Sequence, residues 1–271
     1  MSGGLPLVGL HGAPRSGTSW IGQIFNSAPE VAYRYQPFFA HAFRPRVDAA
    51  ETPADLERIL DEVAGTEDDF VLQRGAARVA RAELAFAKTA PRWMVYKEVR
   101  YHHLLPQLMR IERFKGVGIV RDPVAVLDSW ARAPREFDPA WDLQAEWRSA
   151  PRKNAGRVEE FYGYEGWKRA ALTFRALAAE HPDRFRLLRY ERLTADPMGE
   201  TKALFDFLGL ELSPPVRDFL TRSTSRHDGD PYGVFRDGRT APDAPPSAVT
   251  PAIREAIRRD LHESGLDDYA A

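Results

Sequence analysis

Residues 9–25, GLHGAPRSGTSWIGQIF, put four glycines, an arginine and three hydroxyls into one short stretch. Gly12 and Gly17 have the spacing of a phosphate-binding loop, but Thr18 stands where such a loop carries its lysine, and Arg15 lies inside the loop instead. A loop between a strand and a helix holds an anion with backbone N–H groups and the positive end of the helix dipole. Ser16, Thr18 and Ser19 add hydroxyl donors. Nucleotide triphosphatases need the lysine for the outer phosphates and a magnesium site beside it. With no such lysine and no acidic strand end to hold magnesium, the chemistry expected is a single phosphate bearing a less charged group, without a metal. A glycine turn with no ligand is the plain alternative.

A second stretch, FKGVGIVRDPVAVLDSW, runs out of an apolar segment at Val120 into Arg121, and Ser129 follows eight residues later. An arginine and a hydroxyl so placed can grip a second phosphate. Arg121 paired with Asp122 on a solvated surface is the alternative. Two separate anion pockets are therefore expected.

The elements that must position these groups alternate. LPLVGL, RWMVYKEV, KGVGIV and RFRLLRYE read as strands. SWIGQIFNSA, TPADLERILDEVAG, DPVAVLDSWAR, GWKRAALTFRALAAEHP, DPMGETKALFDFLGL and TPAIREAIRRDLHESG carry apolar residues at helical spacing, several behind a Thr-Pro or Asp-Pro start. Strands alternating with helices predict an α/β fold, a three-layer, P-loop-like arrangement of a central parallel sheet flanked by helices. Ligands collect beyond the carboxyl ends of such strands, where both stretches lie. One domain over 1–271 is expected, with acceptor-site segments near 34–90 and 134–165. The Pro-, Gly- and Asp-rich stretch near 223–250 reads as a lid loop.

The chain's 271 residues carry a net charge of −1, so no nucleic-acid footprint is expected. The absence of cysteine excludes disulfides, thiolate zinc sites and a cysteine nucleophile. No run approaches the ~20 apolar residues of a membrane helix, and no signal peptide is apparent, so stable membrane insertion is not expected and a cytoplasmic location is.

At this point the residues resemble a family. GAPRSGTSW is similar to the 5′-phosphosulfate loop of sulfotransferases that use 3′-phosphoadenosine 5′-phosphosulfate (PAPS), and RDP…S resembles their 3′-phosphate motif. FNSAPEVAYRYQPFF, YKEVR and RYERLTADPMGETKALFDFLGL continue the resemblance, which is to the carbohydrate-type branch. It implies PAPS as donor, 3′-phosphoadenosine 5′-phosphate (PAP) as product, no metal, and a small-molecule or carbohydrate hydroxyl or amine as acceptor. It assigns Arg15, Ser16, Gly17, Thr18 and Ser19 to the 5′ end, and Arg121 and Ser129 to the 3′-phosphate. It places Trp20 and Tyr190 near the adenine, although core packing fits either residue. Arg236 and Gly238, in VFRDGR, match a late family stretch that closes over the 3′-phosphate, with Asp237 in place of a lysine.

The catalytic base is where the resemblance departs. The carbohydrate branch has Glu-Pro where this chain has Gln36-Pro37, and glutamine orients a hydroxyl but takes no proton. If Lys97 is the family's strand lysine, Val99 occupies the other usual base position. Lys97 then assists the sulfuryl group, unless it is a surface ion-pair lysine. Glu98, His41, His11, His102 and His103 remain as substitute bases, each with a structural role as its alternative. Glu98 should face away from Lys97 on a strand. A non-catalytic PAPS- or PAP-binding protein and, less favoured, a P-loop nucleotide kinase stay open beside the enzyme.

Overall fold

The computed structural model describes residues 4–75, 84–225, 229–230, 232–235 and 246–270. Five parallel strands form one sheet: β1 (Leu7–Gly12), β2 (Val31–Tyr35), β3 (Trp93–Glu98), β4 (Phe114–Val120) and β5 (Phe185–Arg189), in the order β2-β3-β1-β4-β5. The expected parallel sheet flanked by helices is present, with β2 as an additional edge strand.

The two sheet faces separate by residue parity. Leu7, Met94, Tyr96 and Phe114 point into one apolar cluster. Val8, Leu10, Val95, Val117 and Ile119 point into the other. Strands buried on both sides read as unbroken apolar runs, which is why β1 and β4 show no polar alternation. Helix α1 (Thr18–Ser27) covers the second face, together with α2 (Pro197–Leu208) and α3 (Pro214–Thr224). Helices α4 (Pro53–Ala64), α5 (Pro123–Ala131), α6 (Gly163–Glu180) and α7 (Pro251–Glu263) cover the first.

Several helix starts follow from their caps. Thr52 and Asp55 form a reciprocal capping box before α4. The side chains of Asp122, Asp196 and Thr250 accept from the N–H of Ala125, Gly199 and Ile253. One boundary differs from the sequence reading. The RFRLLRYE strand stops at Arg189, and Tyr190 opens a short helix, Tyr190–Ala195.

The chain leaves β1 toward α1 on one face and leaves β4 toward α5 on the other. The crevice between the ends of these adjacent strands is a topological switch point, where α/β sheets take their ligands.

Candidate active site

The loop from β1 into α1 is built on two unusual backbone positions. Gly17 caps α1 with φ 90°, a conformation only glycine adopts freely. A Cβ there would stand 2.6 Å from the ring of Tyr190. Arg15 also has positive φ, 71°, which costs of order 1–3 kcal/mol and concentrates at functional sites. No carboxylate lies in the first turn of α1, and no side chain caps it. The positive helix end therefore faces the loop without an acidic residue of its own first turn. The Ser16 hydroxyl is buried and has no hydrogen-bond partner. An orphaned donor beside a glycine cradle fits an incoming anion.

The second stretch meets the first here. Arg121 Nη1 donates to the Arg15 carbonyl at 3.1 Å, and its guanidinium lies 4.6 Å from the centre of the Tyr190 ring. Tyr190 thus closes over both Gly17 and Arg121 while also packing against the apolar cluster beneath α1. Arg15 Nε donates to Ser129 Oγ at 3.2 Å. The expected pair of separate pockets is in this conformation one continuous cationic surface, with Arg15 reaching across to the residue assigned to its neighbour. Asp122 caps α5 through the Ala125 N–H, and its own N–H donates to Glu191. Trp20 is half-buried, and its Nε1 donates to Ser223 on α3.

Arg236, Gly238 and half of the 223–250 segment lie outside the described residues. Within that segment, Val234 and Phe235 are buried against the α1 face. The ring of Tyr232 lies 5.2 Å from the Arg15 guanidinium and 4.9 Å from that of Arg135.

On the other side of the crevice, Lys97 and Glu98 part to opposite faces of β3 as alternation requires. Lys97 is buried, not a surface residue, with Nζ 4.7 Å from the ring centre of its cross-strand neighbour Tyr35. Burial lowers its pKa, and Tyr35, Glu98 and Glu136 act against that. Glu98 is fully buried, and its Oε1 accepts the Phe38 N–H at 2.8 Å while Oε2 has no partner. Desolvation pushes its pKa up to about 8, so it is mostly protonated at neutral pH. A sealed, protonated carboxyl cannot meet an acceptor in this conformation.

Gln36 also sits at positive φ, 43°. Its Oε1 accepts from Arg100 Nη1 at 3.0 Å, and Arg100 Nε donates to Glu160 at 2.9 Å. The Arg100 guanidinium lies 4.1 Å from the centre of the Phe39 ring. His41 is exposed and takes no part in this network. His11 and His102 are buried against one another, their Nδ1 atoms 3.0 Å apart, and His11 Nε2 meets the Tyr96 hydroxyl. Desolvation holds His11 down to about 3, so it is a neutral core residue.

Most aromatics of 134–165 turn out to be core: Phe137 packs on Trp130, and Tyr164 stacks on Trp167. Tyr162 borders the site beneath Lys153, whose Nζ is 4.8 Å from the ring centre. Much of the basic run 148–157 is taken up in ion pairs with Glu146, Glu159, Glu160 and Glu165. The sequence reading missed Glu136, Arg100 and Tyr232. No local spacing marks them, because their partners are remote in the chain. Among the described residues no group of three or more His, Asp or Glu gathers as a metal site.

The cradle, the helix end and the paired arginines define an anion-binding α/β enzyme site. A model of the sulfotransferase family matches residues 6–214, and the chain belongs to that family, enzymes that move a sulfuryl group. Human carbohydrate sulfotransferase 1 is 24% identical over 82% of this chain and 69% of its own length. Human carbohydrate sulfotransferase 3 is 28% identical over 44% of this chain and 25% of its own length. Among solved structures, mouse sulfotransferase SULT7A1 complexed with PAP superposes with a TM-score of 0.57 at 15% identity, covering 98% of this chain and 90% of that one. That likeness carries the fold.

Proposed function

We propose that this sulfotransferase takes its sulfuryl group from PAPS, passes it to a hydroxyl of a small-molecule or carbohydrate acceptor, and releases PAP. The observation that carries this reading is the junction at the ends of β1 and β4. Gly17, Ser16 and the α1 N-terminus form one anion seat, and Arg121 with Ser129 forms a second, close enough for Arg15 to span them. A nucleotide with phosphates on both its 5′ and 3′ positions matches two such seats. PAP in the mouse structure and the carbohydrate acceptors in the names of the human relatives support the same assignment.

In this reading Arg15 binds the phosphosulfate and stabilises charge on the leaving phosphate. Ser16, Gly17, Thr18 and Ser19 supply loop donors, and Arg121 and Ser129 hold the 3′-phosphate. Tyr190 packs at the nucleotide, and Trp20 braces α1 against α3. Lys97, desolvated beside Tyr35, faces the sulfuryl oxygens from β3. Glu98 keeps the Phe38 turn in place rather than moving protons, and His41 has no catalytic part.

One observation favours a second reading, a PAP-binding protein without turnover: Gln36 is neutral where a base is expected, and its oxygen is occupied by Arg100. Mass spectrometry of a hydroxyl- and amine-bearing acceptor library after incubation with PAPS separates the two. The enzyme reading predicts a gain of one sulfuryl mass on an acceptor. PAP binding without any sulfated product supports the alternative.

A further inference from the structure

Glu136 follows α5, the helix that carries Ser129. Its backbone is fixed on both sides: its N–H donates to the Ala133 carbonyl at 2.8 Å, and its own carbonyl accepts from Nε1 of the buried Trp130. Its side chain is 24% accessible overall, but Oε2, which lies 3.9 Å from Arg15 Nη1, is itself buried and has no hydrogen-bond partner. The same carboxylate acts electrostatically on Lys97, Lys153 and Tyr162. It therefore sits among the cations that would surround a transferring sulfuryl group.

The other carboxylates nearby are spent. Glu98 is sealed, and Glu160 is 4% exposed and tied to Arg100 and Arg157. Glu159 pairs with Arg44. Among the described carboxylates, Glu136 alone combines a partly accessible side chain with a place beside Arg15.

We infer that Glu136 is the general base, taking the role that Gln36 cannot perform. This rests on the sulfuryl-transfer reading above. The acceptor O–H bond breaks and its proton passes to the accessible side of the Glu136 carboxylate. The acceptor oxygen forms a bond to sulfur as the bond from sulfur to the 5′-phosphate oxygen breaks, and that electron pair leaves with PAP. Arg15 and Lys97 balance the charge in flight, and the Glu136 proton is returned to water.

The test compares Glu136→Gln and Glu136→Asp with the unaltered chain, using PAPS and three acceptors of falling base demand: water (read as sulfate release), 4-methylphenol, and 4-nitrophenol at about pH 8, where it is already largely ionised. General-base catalysis contributes about 10²–10⁴-fold. Glu136→Gln should therefore slow transfer to 4-methylphenol or water by about 100-fold or more, and transfer to 4-nitrophenol by less than about 5-fold. PAP affinity by calorimetry should stay within about 3-fold, and Glu136→Asp should recover part of the rate. Unchanged rates with every acceptor overturn the inference. So does an equal loss with all acceptors accompanied by weakened PAP binding, which marks a donor-binding or structural residue. A wild-type chain that neither binds PAP nor consumes PAPS overturns the sulfuryl-transfer reading itself, and the base assignment with it.

Discussion

The two walls of the crevice are built on different principles. The donor wall, at the ends of β1 and β4, is largely backbone: a left-handed glycine, a helix terminus, and a carbonyl that anchors Arg121. The acceptor wall is side chain, a chain of contacts from Phe39 and Gln36 through Arg100 to Glu160, with Lys153, Tyr162 and Glu136 alongside. A backbone seat is rigid and recognises a phosphate whatever is attached to it. A side-chain network can be rewired one residue at a time without disturbing the backbone seat. The donor wall fixes the reaction class, and the acceptor wall is free to vary with the acceptor.

The sharpest break in that contrast is Gly17→Ala. The methyl must adopt φ near 90° and enter the Tyr190 ring. Strain and overpacking together should cost about 2–5 kcal/mol, read as lost PAP affinity or a lowered Tm. Retained binding would show that the cradle tolerates side chains. Arg121→Ala removes a charge-assisted phosphate contact and should weaken PAP by about 1.5–3 kcal/mol in calorimetry while leaving the fold intact.

On the acceptor wall the effects are smaller and pH-dependent. Glu98 binds its proton more tightly in the folded chain, with a pKa near 8, than in the unfolded one. Stability from this group is fully present below the unfolded carboxylate pKa and is lost as pH rises through about 8. Thermal melts should accordingly show Glu98→Gln gaining on the wild type between acid and alkaline pH, and parallel curves would refute the buried proton. The smallest effect is expected at Gln36→Glu. The new carboxylate would share Arg100 with Glu160, so the fold should hold and turnover should change less than about threefold, because the base lies elsewhere. A tenfold rise would return the base role to this position.

The donor wall was legible in the sequence because its signals are local. Gly12, Arg15 and Gly17 sit within six residues, and Asp122-Pro123 announces the helix that carries Ser129. The helices with Thr-Pro or Asp-Pro starts were legible for the same reason. Strand β2 was not read as a strand: VAYRY is five residues long, lies at the sheet edge and is only partly buried. The strand read over RFRLLRYE stops at Arg189, and its last two residues, Tyr190 and Glu191, open a short helix instead. The acceptor wall was largely illegible. Gln36 meets Arg100 and Arg15 meets Glu136 through folding alone, and nothing near Glu136 in REFDPAW distinguishes it from an ordinary loop glutamate. The aromatics of 134–165 misled in the opposite direction, since a tryptophan-rich segment reads alike whether it lines a site or fills a core.

The two-seat donor wall is tested most directly by titrating PAP and adenosine 5′-phosphate into the wild-type chain and Arg121→Ala. Two phosphate seats predict that the 3′-phosphate strengthens wild-type binding by about tenfold or more and that this advantage disappears in the variant. Equal affinity of the two nucleotides for the wild type, or an advantage that survives loss of Arg121, would contradict it.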